Sequence, residues 1–422
     1  MRVLWIVNTI FPEPSIALGL STPISGGWMY GLANQLNATG EINLAIVSTY
    51  SGTELKLLSI QGIDYYLLPC KNKIKYDTKL EQYWEQVCAQ FLPDLVHIHG
   101  TEYAHGLACM RKLPNLEYVV SVQGLVSVYS KYFYAGISFI DIIKNITLRN
   151  LIKNDSVFNL KNQFEKRGQL EREYLKTTNH IIGRTNWDYA HAKSLNRIVN
   201  YHFCNESLRL CFYSGRKWSI EKRVPQTIFL SQATSPIKGL HQVLKAVILL
   251  KPYFPNLSVR VAGSSIVKQE TLGDLIKLSG YGKYILSIIK KGNLENNIVF
   301  LGNLSEEQMA EEYSKANVFI CPSSIENSPN SVGEAQIVGV PLVASYVGGM
   351  SNMVEDGCTG LLYRFEEVEM LAENIRKIFT DDELAKTLSE NGIQVAEKRH
   401  HLNVNLKQTI HIYKSIINNE KL

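Results

Sequence analysis

Short apolar runs alternate along this chain with longer stretches in which apolar residues recur every three or four positions. The runs Val3–Val7, Asn43–Ser48, Asp64–Leu68, Asp94–His99, Tyr118–Val122 and His180–Gly183 are rich in β-branched residues, as strands covered on both faces are. The same grammar returns in Thr227–Ser231, Val259–Gly263, Ile298–Gly302, Val318–Pro322, Leu342–Ser345 and Leu361–Tyr363. Between the runs, Met29–Leu36, Leu240–Leu250, Ser305–Ala316, Ser331–Val338 and Val368–Phe379 carry helical periodicity, and 395–422 reads as one or two amphipathic helices. Alternation of this kind builds βαβ units and parallel sheets. Two such series predict an α/β protein of two Rossmann-like, doubly wound domains. They join near the polar, aperiodic stretch Arg216–Pro225. Ligands of such sheets sit beyond the carboxyl ends of the strands, so those ends of both domains are expected to face each other across one cleft.

Length agrees with two cores, since 422 residues exceed what one hydrophobic core usually supports. With 45% apolar and 20% charged residues the chain is an ordinary globular one. A net charge of +5 is too mild to mark a nucleic-acid binder and suits small anionic substrates. The seven cysteines are scattered without a CxxC pair, which fits neither a disulfide framework nor a zinc site and points to a reducing cytoplasm. The opening MRVLWIVNTIFPEPS is broken by Asn8 and two prolines and reads as a buried first strand rather than a signal peptide. No apolar run reaches the ~18 residues of a spanning helix.

The densest chemistry lies over residues 321–349, CPSSIENSPNSVGEAQIVGVPLVASYVGG. A strand ends, a loop carries Glu326, and a helix starts near Ser331, with Asn330 just before it and Glu334 one turn inside. A helix start offers unpaired N–H groups and a positive dipole end, suited to a diphosphate. The carboxylates can accept hydrogen bonds from sugar and ribose hydroxyls. Glu326 and Glu334 stand eight positions apart and are followed by Ala335, Gly339, Pro341, Val343 and Ala344, then Gly348, Gly349, Glu355, Asp356, Gly357, Gly360 and Leu361. This pattern resembles the signature of glycosyltransferase family 4, retaining enzymes of the GT-B fold.

The resemblance implies a sugar transferred from a nucleotide donor, UDP- or GDP-linked, to an acceptor hydroxyl, with Glu326 on the donor sugar and Glu334 on the ribose. It implies a first domain over 1–215 on the acceptor side, a donor-binding second domain over 216–400, and a helix at 401–422 that crosses back onto the first. Ser235–Ala246, SPIKGLHQVLKA, is similar to the family's phosphate-binding segment, which assigns Lys238 to the leaving diphosphate. Where the family carries Arg, this chain has Gln232, and where many members carry His, it has Gln123. Gln123 can hydrogen-bond a sugar hydroxyl but cannot take up a proton. A retaining mechanism in which the donor phosphate assists the acceptor tolerates that change. Gly26 and Gly27 are similar to the family's glycine pair, whose bare backbone approaches phosphate or the transferring sugar.

Further candidates lie around HIHGTEYAHG, 97–106. His99, Glu102 and His105 fall at the end of a first-domain strand and are assigned to the acceptor side. The His97–His99 spacing lacks a third metal ligand. Arg184, after a later strand, either binds phosphate or acceptor or pairs with a carboxylate such as Asp188. Residues 129–153 combine a broad apolar face with Lys131, Lys144, Arg149 and Lys153. Two readings stand: peripheral contact with an anionic membrane, or burial between strands. No DxD motif is present, and Asp381–Asp382 reads as a helix cap, so a metal-independent reaction without cofactor is expected. The expected activity is glycosyl transfer to a glycan or lipid-linked acceptor in surface-polysaccharide synthesis, at the cytoplasmic side. The rivals are a nucleotide-sugar epimerase and a non-catalytic nucleotide-sugar-binding subunit.

Overall fold

A computed structural model describes residues 1–21, 27–269 and 271–418. Contacts divide the chain into two compact units. One comprises Met1–Val128, Glu165–Arg209 and the chain from His400; the other comprises Tyr129–Phe164 and Leu210–Arg399.

In the first unit, β1 (Arg2–Ile6), β2 (Asn43–Tyr50), β3 (Lys56–Ile60), β4 (Ile63–Pro69), β5 (Leu95–His99), β6 (Tyr118–Ser121), β7 (His180–Gly183) and β8 (Asn200–Phe203) form one sheet of order β3-β4-β2-β1-β5-β6-β7-β8. Every pairing is parallel except β3 with β4. The strand order reverses between β1 and β5, the place where a doubly wound sheet opens a crevice. Two edge strands had no clear signal in the sequence. β3 is half solvent-exposed and joined to β4 by a tight turn whose Gln61 and Gly62 both have positive φ. β8 reads Asn-Tyr-His-Phe with only His202 buried, so neither edge shows the apolar run of a central strand.

The second sheet contains β9 (Thr227–Leu230), β10 (Ser258–Val261), β11 (Ile298–Phe300), β12 (Val318–Cys321), β13 (Leu342–Ser345) and β14 (Leu361–Tyr363). Its order is β11-β10-β9-β12-β13-β14, all parallel. β9, β12 and β13 are buried along their whole length, as a sheet covered on both faces requires. Its reversal falls between β9 and β12, so the loops after these two strands flank the crevice position.

The unit boundaries differ from a single crossing near 215. Residues 129–164 cluster with the second unit. The reason is a set of hydrogen bonds at short helix ends: Thr147 Oγ1 donates to Leu278 O, Arg149 Nη1 to Lys277 O, and Lys283 Nζ to Lys144 O, at 2.9, 2.9 and 3.0 Å. Within the first unit, helix Leu402–Ile417 places Ile410, Ile412, Tyr413 and Ile416 in the core beside Val3, Trp5 and Ile46. Trp5 Nε1 donates to Tyr413 Oη at 3.0 Å, and the same hydroxyl meets His97 Nδ1 at 2.5 Å.

His97, His99 and His105 of this unit are almost fully buried. Burial, with the neighbouring His99 adding to it, pushes His97 well below its ordinary value. Burial alone takes His99 to about 3, and burial, opposed by the hydrogen bond to Val7 and reinforced by Lys73, takes His105 to about 4. These rings stay neutral in the fold but take up protons near pH 6.5 in the unfolded chain. Stability present above pH 6.5 is therefore lost as the pH falls below it, by up to about 2 kcal/mol per histidine between pH 6.5 and 5. Unfolding followed by tryptophan fluorescence reads mainly the first unit, since Trp5, Trp28, Trp84 and Trp187 lie there and Trp218 lies in the other. The midpoint is expected to fall from pH 7 to pH 5, and His99→Gln to reduce that dependence; a flat profile contradicts the assignment.

Candidate functional site

The loop after β9 runs through Ser231–Ser235 into a single turn, Pro236–Lys238, and then into helix Leu240–Leu250. Gly239 between them has φ +71°, and a Cβ there would lie 1.7 Å from Pro322 O. Only glycine satisfies both the backbone conformation and the close approach. The loop after β12 is thus brought against the Lys238 turn, and Ser324 N donates to Ile237 O at 2.8 Å.

This contact joins two residues 88 positions apart. Lys238 Nζ lies 2.5 Å from Glu326 Oε1, which also accepts from Ser323 Oγ at 2.8 Å. Burial alone would lower the Lys238 pKa, but the Glu326 carboxylate and its hydrogen bond outweigh it and leave the value raised. The ammonium is charged at neutral pH. Glu326 is held from behind as well: Gly349 N donates to Glu326 O at 3.0 Å. Gly348 has φ +53°, and a Cβ there would lie 1.9 Å from the same oxygen. The neighbouring Cys321 thiol is pushed up to about 12, chiefly by burial, and is inert at neutral pH.

Helix Asn330–Val338 starts directly beyond this loop. Its N-cap, Pro329, offers no side-chain cap; Val332 N turns back to Pro329 O at 3.0 Å, and the amides of Asn330 and Ser331 lie at the positive end of the helix dipole. Asn330 and Ser331 are half-buried there, and Asn330 Oδ1 is buried without a hydrogen-bond partner among the described residues. Glu334 is buried, with Tyr313 Oη donating to its Oε2 at 3.4 Å. Arg399 reaches the same loop, donating to Ser328 Oγ at 3.3 Å and to Asn352 O at 3.1 Å. The second unit therefore pairs Lys238 directly with Glu326 and places Asn330, Ser331 and Glu334 on the helix that follows the Glu326 loop. Gln232 is exposed and makes no hydrogen bond among the described residues. Ser323, Tyr313 and Arg399 were not singled out in the sequence; only Ser323, three residues before Glu326, had a positional signal. A cavity of about 410 Å³ in the same unit is lined by Ser235 and Pro236 of the Lys238 loop and by Arg149, Ser264, Lys268 and Lys277.

The first-unit candidates are distributed differently. Gly26 lies outside the described residues. Gly27 opens helix Gly27–Ala38, and a Cβ there would meet the flexible Arg209 side chain at 2.9 Å. Gln123 follows β6 and donates from Nε2 to Met29 Sδ at 3.8 Å. Arg184 is buried, with Nη1 2.5 Å from Glu206 Oε2 and Nη2 donating to Val122 O and Gln123 O at 3.2 and 3.0 Å. Asp188 instead accepts the Arg184 backbone N–H at 3.1 Å. Of the two readings of Arg184, carboxylate pairing is observed, but with Glu206, which sits after the edge strand β8 and gave no signal in sequence. His99 packs on Trp5 with ring centroids 4.2 Å apart, and neither ring nitrogen has a partner among the described residues. Glu102 accepts from Asn8 Nδ2 at 2.7 Å, and burial raises its pKa. His105 Nε2 lies 3.2 Å from Val7 O. Among the described residues no group of three or more His, Cys, Asp or Glu side chains is placed to hold a metal ion.

This geometry can be set beside known proteins. The family model of glycosyl transferases group 1 matches residues 216–395, nearly the whole of the second unit's Leu210–Arg399 segment. Among similar sequences, the D-inositol 3-phosphate glycosyltransferase of Corynebacterium urealyticum is 26% identical over 186 residues, 43% of this chain and 41% of that protein. The capsular polysaccharide biosynthesis glycosyltransferase CapM of Staphylococcus aureus is 30% identical over 103 residues, 24% of this chain and 27% of that protein. The match thus spans less than half the length of these relatives. Among solved structures, sucrose-phosphate synthase from Thermosynechococcus elongatus aligns with a TM-score of 0.73 at 17% identity, over 99% of this chain and 100% of that one. Anabaena HepE in complex with UDP-glucose aligns with a TM-score of 0.66 at 15% identity, over 98% and 100%. Residues 216–395 thus match the glycosyl transferases group 1 model, and the fold of the chain is that of the GT-B glycosyltransferases.

Proposed function

We propose that the protein is a retaining glycosyltransferase that moves a sugar from a UDP- or GDP-linked donor to a hydroxyl of a glycan or lipid-linked acceptor, in surface-polysaccharide synthesis. The observation that carries the reading is the Lys238–Glu326 pair beside the uncapped start of helix Asn330–Val338. A donor diphosphate placed at that helix start meets its N–H groups and the Lys238 ammonium. Glu326 accepts from hydroxyls of the donor sugar and Glu334 from those of the ribose.

As the bond from the anomeric carbon to the phosphate oxygen breaks, its electron pair leaves with the nucleotide diphosphate. Lys238 and the helix dipole stabilise that charge, which makes a metal-independent reaction workable. The acceptor oxygen forms the new bond on the face the phosphate leaves, and its proton passes to a phosphate oxygen. This route asks no proton transfer of Gln123. The cavity beside Ser235 offers room for part of a substrate next to the Lys238 turn. The chain acts in the cytoplasm, at the inner face of the membrane that holds its acceptor.

Two outcomes test the assignment. In a thermal-shift and calorimetric screen of UDP- and GDP-sugars, Glu334→Ala is expected to weaken the best donor by about 10- to 100-fold, the worth of hydrogen bonds to a charged group. If both Glu334→Ala and Glu326→Ala bind every donor as the wild type does, the site is wrong. Lys238→Ala is expected to lower the transfer rate by about 10²–10³ and also to lower the melting temperature, because it leaves Glu326 buried without its cation. Nucleotide release at the wild-type rate would remove Lys238 from the chemistry. Donor consumed with no acceptor present would mark an epimerase, and tight donor binding without turnover on any acceptor would mark a binding subunit.

A further inference from the structure

The segment 129–164 presents two different faces. Its helices Phe139–Lys144 and Leu148–Lys153 are anchored inward by Ile142, which is buried, and by Asn150, whose Nδ2 donates to Asp155 Oδ1 at 2.7 Å. Thr147, Arg149 and Lys144 O complete the attachment to residues 277–283. The opposite face carries Phe139, Ile140, Ile143, Leu148, Leu151 and Ile152, all exposed, the last two at 71% and 72%. Ile276, on the adjoining helix Leu272–Lys277, is exposed as well. Packing onto the second unit therefore does not bury this apolar surface. Contiguous exposed apolar side chains of this size mark an interaction surface.

Charge selects the partner. Lys131, Lys144, Lys153 and Lys277 are exposed and form no ion pair among the described residues. The acidic residues of the same region are each engaged by a neighbour. Asp141 is bound by Ser138 Oγ at 2.7 Å, Asp155 pairs with Arg149 at 3.0 Å, and Asp274 accepts from Thr271 at 2.9 Å. The outer surface is thus apolar with a basic rim, the complement of a bilayer with anionic headgroups. No helix among the described residues is long and apolar enough to cross a membrane, so contact through this surface is interfacial.

We propose that the face formed by Phe139, Ile140, Ile143, Leu148, Leu151 and Ile152 docks onto an anionic lipid bilayer, with Lys131, Lys144, Lys153 and Lys277 at the headgroup level. The inference rests on the membrane-proximal acceptor proposed above and gives it a surface on the nucleotide-sugar unit itself. The test is co-sedimentation of the full chain with vesicles of phosphatidylcholine alone or of equal parts phosphatidylcholine and phosphatidylglycerol, without donor or acceptor. Binding to the anionic vesicles is expected to exceed that to the neutral ones by about tenfold or more and to weaken as salt rises. Leu151→Glu/Ile152→Glu is expected to abolish it, and Lys144→Glu/Lys153→Glu to weaken it on anionic vesicles. These side chains are exposed, so the melting temperature and donor binding of both variants should match the wild type. Equal binding to both vesicle types, or unchanged binding of the Leu151→Glu/Ile152→Glu variant, overturns the proposal. So does a solution dimer that this variant converts to monomer. Donor binding, measured in parallel, tests the transferase reading independently of the vesicle result.

Discussion

The second unit's chemistry depends on one close approach, that of Gly239 to the carbonyl of Pro322. It lets the loops after two central strands touch, and the touch brings an ammonium and a carboxylate together at the sheet's reversal point. Each half alone is unremarkable: a lysine in a one-turn helix, a glutamate in a loop. Together they form a pair in a partly desolvated place, where charge counts for more than at the surface. The ammonium stays protonated because the carboxylate compensates its burial. A pair of glycines, Gly348 and Gly349, holds Glu326 from the other side through its main chain. The carboxylate is thus positioned by backbone on two sides and by Ser323 Oγ on a third, a preorganised arrangement of the kind that binding and catalysis need.

The first unit solves a different problem, that of closing a long sheet around polar rings. Trp5, His97 and Tyr413 form a buried chain of hydrogen bonds that fastens the last helix to the first strand and to β5. His97 continues it to Ser121 Oγ at 2.6 Å on β6. His99, one turn of the pleat away, is left to pack on Trp5. Residues that look alike in sequence, two histidines on one strand face, thus differ in role: one is a structural link, the other a ring without a hydrogen-bond partner among the described residues, lining one small cavity with Arg184 and Glu206. Glu206 compensates the guanidinium charge in place, and Arg184 Nη2 is turned to the Val122 and Gln123 carbonyls.

The segment 129–164 shows how attachment and exposure coexist in one short stretch. Short helices have few interior positions, and Ile142 and Asn150 supply them here, so most of the apolar residues remain outside. Such helices are marginal alone and owe their order to side-chain caps and to hydrogen bonds onto the rest of the second unit.

The sequence by itself determined the central strands of both sheets, because buried parallel strands must be continuously apolar and that pattern is local. It also determined the helix start to within one residue of Asn330 and the spacing of Glu326 and Glu334, which a strand–loop–helix unit fixes within one stretch of chain. It did not reveal β3 and β8, since edge strands lack the apolar run. Nor could it show that 129–164 joins the second unit, because the deciding hydrogen bonds go to residues more than a hundred positions away. The partners of Lys238 and Arg184 were likewise decided only by tertiary structure: an ion pair between distant loops has no periodicity to read, and exists only once the sheet order brings the strand ends side by side.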